Sequence, residues 1–270
     1  MADAAGTLRA YRSIIRGRIR SQAEYPSSFV LELFGSAFVG VVEFAEIYAI
    51  FGRTKAIAGF GYDDMLLLFG FATFAFSLAD LCVGHIESLS TYVRTGTFET
   101  LLLRPLSTVG QLATSDFSLR RFGRALLGLG VLGYGLHRAS IRWTPMRIAL
   151  ALTTPVLGTF IYACIFVGTA SISFWLVDAG EFASAFTYGG RYVSSFPFSV
   201  YGVALRQFFT FVVPVAFVSY VPTLSLLGRL DSAGWPLWAG ACPIVAAGAT
   251  FLVTRVLWRT GVRHYVGAGG

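Results

Sequence analysis

Acidic side chains inside long apolar stretches are the residues of this sequence best placed to do chemistry. Glu43 and Glu46 fall in one apolar run, and Asp80 falls in the next. Glu43 and Glu46 are three residues apart, so they share one face of a helix. A carboxylate in hydrocarbon is costly and usually faces a cavity or a partner helix. These three residues are therefore candidates for a translocation path or a subunit contact, with an ordinary interhelical hydrogen bond as the alternative.

Groups that would support catalysis are scattered. The three histidines, His85, His137 and His264, are far apart, and no GxSxG, HExxH or paired-carboxylate motif is present. The only lysine, Lys55, lies in GRTKA, which does not complete the Gly-Lys-Ser/Thr end of a Walker A motif. We therefore expect a non-catalytic chain with no metal and no cofactor of its own, in which any nucleotide-driven work is done by another subunit.

Two prolines, Pro214 and Pro222, fall inside a later apolar run. Proline removes a backbone hydrogen bond and can kink a helix. A kinked helix suits a moving gate, so both residues are further candidates for the translocation path. Simple packing is the alternative explanation.

The composition indicates which solvent these residues meet. Hydrophobic residues make up 55% of the 270 residues and charged residues only 13%, about half the charged share of a soluble domain. The apolar residues form runs about as long as the roughly 20 residues that cross a bilayer as a helix. We expect one all-α integral membrane domain over residues 1–270 and no partner nucleic acid, because orientation in a membrane explains the net charge of +7.

The elements that must position the candidates are six predicted transmembrane helices. A basic amphipathic segment over 1–28 precedes them and suits the membrane interface, with a solvated helix as the alternative. The six predicted spans cover residues 29–51, 65–86, 117–136, 148–177, 208–227 and 235–257.

The distribution of basic residues predicts the orientation. With the amino terminus in the cytoplasm, the cytoplasmic segments hold 15 Lys and Arg residues and the outer segments hold 6. This excess predicts that both termini are cytoplasmic. The count also places the irregular segment 178–207, with Arg191 and Arg206, on the cytoplasmic side. The outer segment 137–147 is more basic than the rule expects.

The connection between the second and third predicted spans has the sequence STYVRTGTFETLLLRPLS, from Ser90 to Ser107. It predicts a short helix that follows Gly96-Thr97 and stops before Pro105. Three consecutive leucines, Leu101 to Leu103, would be exposed on the cytoplasmic side, which implies a docking partner. A helix lying on lipid is the alternative.

This stretch, from Arg94 through Gly96, Glu99 and Leu102 to Arg104-Pro105, resembles the cytoplasmic loop of type-2 ABC exporter permeases. Three further stretches are similar to a prokaryotic branch of six-span subunits of about 260 residues. They are Phe196-Pro197 to Arg206, Val213 to Gly228, and the closing Trp258, Gly261 and Tyr265. The family's usual Ser-x-Gly ending is absent, and Val266-Gly267-Ala268-Gly269 stands there instead.

The resemblance implies how such a chain works. It implies two ABC ATPase subunits that hold ATP and Mg²⁺, a second permease chain that is related but different, and a bacterial or archaeal plasma membrane. It also implies that a coupling helix over 94–106 docks on the ATPase. The coupling residues carried over are Arg94, Gly96, Glu99, Leu102, Arg104 and Pro105.

The preferred interpretation is therefore the permease half of an ABC exporter. The alternative is a secondary transporter coupled to an ion gradient through Glu43 or Asp80. The sequence leaves the substrate open.

Overall fold

The computed structural model describes residues 4–24, 26–115, 121–176 and 179–265. The predicted ends that fall on residues 1–3, 25, 117–120, 177–178 and 266–270 lie outside this part of the chain. The α-helices are α1 Ala4–Ala23, α2 Pro26–Phe51, α3 Tyr62–Val83, α4 Leu89–Arg94, α5 Phe98–Leu102, α6 Thr108–Ser115, α7 Arg121–Arg138, α8 Pro145–Ala170, α9 Ala179–Ser194, α10 Val203–Gln207, α11 Tyr220–Leu227 and α12 Cys242–His264.

The predicted all-helical membrane protein is confirmed. Four helical stretches of the described residues are long and apolar enough to cross a membrane: Val30–Phe51, Tyr62–Arg94, Pro145–Phe174 and Leu237–His264. They correspond to the first, second, fourth and sixth predicted spans. Helix α7 occupies the place of the third, where Arg121 and Arg124 reduce the apolar character of its first turn.

The predicted fifth span is broken by a bend. Residues 203–212 and 215–227 are two helical pieces that meet at an angle of 76°. Arg206 before the bend and Arg229 after it line the same cavity, together with Phe60 from the loop that precedes α3. We call these two pieces the hairpin. Hydropathy over 208–227 cannot distinguish two half-length helices from one full span, because both bury about 20 apolar residues.

The segment 178–207, which the charge count places on the cytoplasmic side, follows the length of α3 in its described part. A Cβ placed on Gly180, near the start of α9, would lie 3.5 Å from Ser90 Oγ. Ser90 begins the segment 90–107, which we call the coupling loop after its expected role. Further along, Ser199 lines the cavity that contains Phe60, at the opposite end of α3. Residues 179–199 therefore run from one end of α3 to the other, and the side of the membrane on which they lie stays a prediction.

Helix α3 forms the centre of the molecule, with 16 buried residues. Glycines allow α7 to pack closely against it. A Cβ on Gly128 would lie 2.8 Å from the backbone nitrogen of Phe74, and a Cβ on Gly135 would lie 2.9 Å from that of Leu67. Small residues at such crossings let two membrane helices approach each other.

Helix α1 runs beside the coupling loop rather than into the bundle. The hydroxyl of Tyr11 donates a hydrogen bond to the carbonyl oxygen of Ser107 at 3.3 Å. Arg9, Arg12, Arg16 and Arg20 are exposed, while Ile14 and Ile15 are half-buried. Ile19, on the predicted apolar face, is exposed, so the amphipathic character of α1 and its position in the membrane interface stay predictions.

Candidate coupling surface and intramembrane ion pairs

The coupling loop folds as two short helices, α4 and α5, joined by residues 95–97. Gly96 has a φ of 72°, a left-handed conformation that glycine adopts without a steric penalty. The reversal at Gly96 starts α5 at Phe98, and α5 ends at Leu102, before Pro105. The predicted short helix is therefore present but covers only part of residues 94–106.

Buried aromatic rings hold the loop on the bundle. Phe98 is fully buried, and its ring centroid lies 5.2 Å from that of Phe174 and 5.1 Å from that of Tyr265. The Phe174 ring in turn lies 5.6 Å from that of Trp258. Edge-to-face pairs of this kind add about 0.5–1.5 kcal/mol each beyond the area they bury. The loop is thereby fixed to the ends of α8 and α12, and we call these four rings the aromatic anchor.

A buried glutamine fixes the other side of the loop. Gln111 Nε2 donates hydrogen bonds to the carbonyl oxygens of Leu101 and Leu106, at 2.9 Å and 3.0 Å. These carbonyls flank the exposed end of the loop. The loop conformation is therefore set from within the chain before any partner binds.

We call the residues that the loop presents outward the coupling surface, after the role expected of them: Arg94, Glu99, Leu102, Leu103, Arg104 and Pro105. All six are exposed, with Leu103 at 86%. The surface combines an apolar patch with cations and an anion, which suits a protein partner better than lipid tails. Gly96 is half-buried at the turn and shapes the surface rather than contributing to it.

Glu43 of α2 is paired with an arginine that the sequence analysis placed elsewhere. Arg191 Nη1 donates to Glu43 Oε1 at 2.9 Å, and Nη2 donates to Oε2. Arg191 is only 8% exposed, and its guanidinium carbon lies 5.2 Å from the centre of the Phe76 ring. This bidentate pair joins α2 to α9 in the interior.

Glu46, one turn further along α2, faces the same helix α9. It accepts a long hydrogen bond of 3.4 Å from the hydroxyl of Tyr192. Glu43, Glu46, Arg191 and Tyr192 border a small cavity of about 20 Å³, which is room for one water molecule. That these residues line a translocation path stays a prediction.

Asp80 is held in a second ion pair at the coupling end of α3. Arg121 Nη1 lies 3.1 Å from Asp80 Oδ1 and donates to the Asp80 carbonyl oxygen at 2.7 Å. Nearby, Glu87 accepts hydrogen bonds from Thr187 and Tyr188, both at 3.4 Å. The structure therefore uses Asp80 to join α3 to α7, as the interhelical alternative proposed.

A sequence model of the ABC-2 family transporter proteins matches residues 38–269. The chain belongs to the ABC-2 transporter family. No curated protein and no solved structure matches the sequence. ABC-2 permeases are membrane transport components and work with ABC ATPase subunits, so the kind of partner expected from the sequence is confirmed. The match begins inside α2 and includes the coupling loop and the hairpin.

The two prolines of this ABC-2 permease have different roles. Pro214 lies at the bend of the hairpin, where Val213 is extended with φ −114° and ψ 91°. Pro222 is buried in the first turn of α11. A backbone N–H in the first turn has no carbonyl acceptor within the helix, so proline costs no helical hydrogen bond there. Pro214 is therefore a candidate hinge, whereas Pro222 is compatible with an undistorted helix.

The other end of the ABC-2 permease is held by two ion pairs. Arg229 Nη1 lies 2.7 Å from Asp64 Oδ2, and Arg138 Nε lies 3.2 Å from Asp63 Oδ1. They tie the hairpin and α7 to the first turn of α3. Arg229 also lines a cavity of about 600 Å³, which opens to the surface.

Sequence reasoning identified Glu43 and Asp80 but missed the arginines that pair with them. The available signal was the isolated Arg191 between apolar residues, since an intramembrane cation needs an anionic partner. Within the described residues, no group of three His, Cys, Asp or Glu side chains could hold a metal ion.

Proposed function

We propose that this chain is the transmembrane permease subunit of an ABC exporter. It forms half of the translocation pathway and is driven by a separate ATPase subunit bound at the coupling surface. In this proposal six segments cross the membrane, namely α2, α3, α7, α8, α12 and the segment built on α9. Both termini and the coupling loop then face the cytoplasm, and the hairpin faces outward.

The observation that carries the proposal is the rigid presentation of the coupling surface. An exposed apolar and charged loop would be costly to order in water unless a partner covered it. Here the aromatic anchor and Gln111 order it in advance, so little conformational entropy is lost on docking. In the family this kind of partner is an ABC ATPase.

The exposed face of α2 supports a second permease subunit. Only 11% of the apolar window of this helix is buried inside the chain. Leu31, Phe34 and Phe38 are each more than two-thirds exposed. A pathway between two permeases would use a helix of this kind, with Glu43 on its inner side.

The alternative of an ion-coupled secondary transporter requires a carboxylate that can bind and release a cargo ion. Glu43 and Asp80 are each already occupied by a guanidinium group. This disfavours the alternative, which predicts transport without ATP and without an ATPase subunit.

The test uses the tagged chain purified with its ATPase subunit and reconstituted in vesicles. Glu99→Ala and Arg104→Ala each remove a charged contact, which contributes about 1.5–3 kcal/mol. We expect the ATPase subunit to co-purify at least tenfold less, while the membrane chain elutes from size exclusion unchanged. Arg142→Ala, an exposed arginine at the other end, is the matched control. A complex that assembles and hydrolyses ATP as well with the loop variants as with the control would refute the proposal.

A further inference from the structure

An apolar groove runs between α8 and α12 on the outside of the bundle. Its volume is about 310 Å³, and its walls include Phe160, Ala163 and Val167 of α8 and Phe251 of α12. The rings of Phe160 and Phe251, 5.9 Å apart, line it at the end farther from the coupling loop. The groove is therefore apolar over this part of its length.

The end of the groove nearest the coupling loop is cationic. Arg255 and Arg259 both line it, together with Trp258. They are four residues apart, so their side chains lie on one face of α12. Arg121, Arg138, Arg191 and Arg229 each have an acidic partner. Within the described residues no acidic side chain pairs with Arg255 or Arg259.

The position of Arg255 along α12 favours an anionic partner. It lies nine residues before the end of α12 at His264, which is about 14 Å along a helix. A cation at that distance from the helix end, beside an apolar groove, is costly without an anion. Its flexible stem can reach toward the interface, where anions are found at the level of the lipid head groups.

We propose that the groove binds one phospholipid with an anionic head group. The phosphate contacts Arg255 and Arg259, and one acyl chain occupies the groove between α8 and α12 as far as Phe160 and Phe251. Trp258 lies between these two zones, as interfacial tryptophans do. The two arginines select the head group, and the apolar walls hold the chain. The binding site does not depend on the proposed exporter function.

The test uses the fluorescence of Trp258 in a full-length variant whose other four tryptophans, Trp143, Trp175, Trp235 and Trp238, are replaced by Phe. The protein is reconstituted in phosphatidylcholine vesicles that contain brominated phosphatidylglycerol or brominated phosphatidylcholine, because bromine quenches a nearby tryptophan. Each arginine near the membrane surface favours an anionic lipid by about fivefold. We expect brominated phosphatidylglycerol to associate with the Trp258 site at least fivefold more strongly.

The controls separate a built site from general attraction. Arg255→Gln with Arg259→Gln should equalise the two lipids, whereas Arg255→Lys with Arg259→Lys should keep most of the preference. Arg263→Gln, which removes one charge from the same helix outside the groove, should keep it fully. Equal quenching by both lipids in the parent protein would overturn the proposal. The proposal would also be overturned if Arg263→Gln reduced the preference for phosphatidylglycerol as much as the paired Gln variant does. The preference would then come from net charge alone.

Discussion

The pair of Glu43 and Arg191 is a bidentate polar contact between α2 and the interior of the molecule. α2 otherwise presents most of its apolar residues outward. The pair is largely buried, with 20% of the Glu43 side chain and 9% of the Arg191 side chain exposed. Removing one partner would leave the other charge without compensation in a poorly hydrated site.

We expect Glu43→Gln and Arg191→Gln each to lower the stability of the purified chain by about 3 kcal/mol. The double variant should lose less than the sum of the two, because neither charge is then left unpaired. The measurement is the apparent melting temperature in detergent, followed by size exclusion. Tyr192→Phe, which removes only the 3.4 Å contact to Glu46, is the control and should change little. Strict additivity of the two Gln variants would contradict the pairing.

At this scale the sequence identifies the anomalous residue but not its partner. Glu43 and Asp80 stand out because a carboxylate is rare in an apolar run. Their partners, Arg191 and Arg121, are 148 and 41 residues away along the chain. No local spacing rule connects residues at that separation, so the pairing depends on the tertiary fold.

At the scale of single elements, the close packing of α3 and α7 depends on the placement of glycine within α7. Gly128 faces the α3 backbone, whereas a Cβ on Gly130 would meet nothing within 4 Å. The two residues are on the same helix, so they form a matched pair.

We expect Gly128→Ala to lower the apparent melting temperature, by an amount equivalent to about 1–3 kcal/mol, because the added methyl group must separate the two helices. Gly130→Ala should be neutral or stabilising by up to about 1 kcal/mol, because alanine favours a helix. Thermal inactivation in detergent measures both. Equal effects of the two substitutions would show that the helices are not packed as closely as the structure indicates.

The elements also show where hydropathy is sufficient and where it is not. The runs over 29–51, 65–86, 148–177 and 235–257 are apolar over most of their length and correspond to the four long helical stretches. The segment 179–200 contains Arg191 and several serines, yet it runs the length of α3 because its polar face meets Glu43 and Glu87. The hairpin is apolar enough for a span but is broken at Pro214. In both cases tertiary contacts, not composition, decide the path.

At the scale of the whole molecule, the arrangement assigns each loop to one of two ends. Leu103 of the coupling surface lies at one end, and Ser199 and Ser232 line the cavity at the other. The sequence-based topology instead placed residues 178–207 beside the coupling loop. Accessibility of single cysteines distinguishes the two arrangements.

We expect Ser199→Cys and Ser232→Cys to react with a membrane-impermeant maleimide added to intact cells. Leu103→Cys should react only in inverted vesicles, because it is on the opposite face. The three native cysteines, Cys82, Cys164 and Cys242, are first replaced by serine or alanine. If Ser199→Cys labelled from the same side as Leu103→Cys, the crossing through α9 would be wrong. If Ser199→Cys and Ser232→Cys labelled only in inverted vesicles and Leu103→Cys labelled in intact cells, the arrangement of the segments would be correct and the orientation in the membrane would be reversed.

The aromatic anchor has a consequence for the biosynthesis of the chain. Phe98 packs against Phe174, and the Phe174 ring in turn packs against Trp258 and lies near Tyr265. A ribosome adds roughly 5–20 residues per second, so Trp258 and Tyr265 are synthesised on the order of 10 s after Phe98. Until then the leucines of the coupling loop lack their final support. A chain still being synthesised therefore lacks a finished coupling surface. Under the proposed function, the ATPase subunit would engage only permeases whose last transmembrane helix has been inserted.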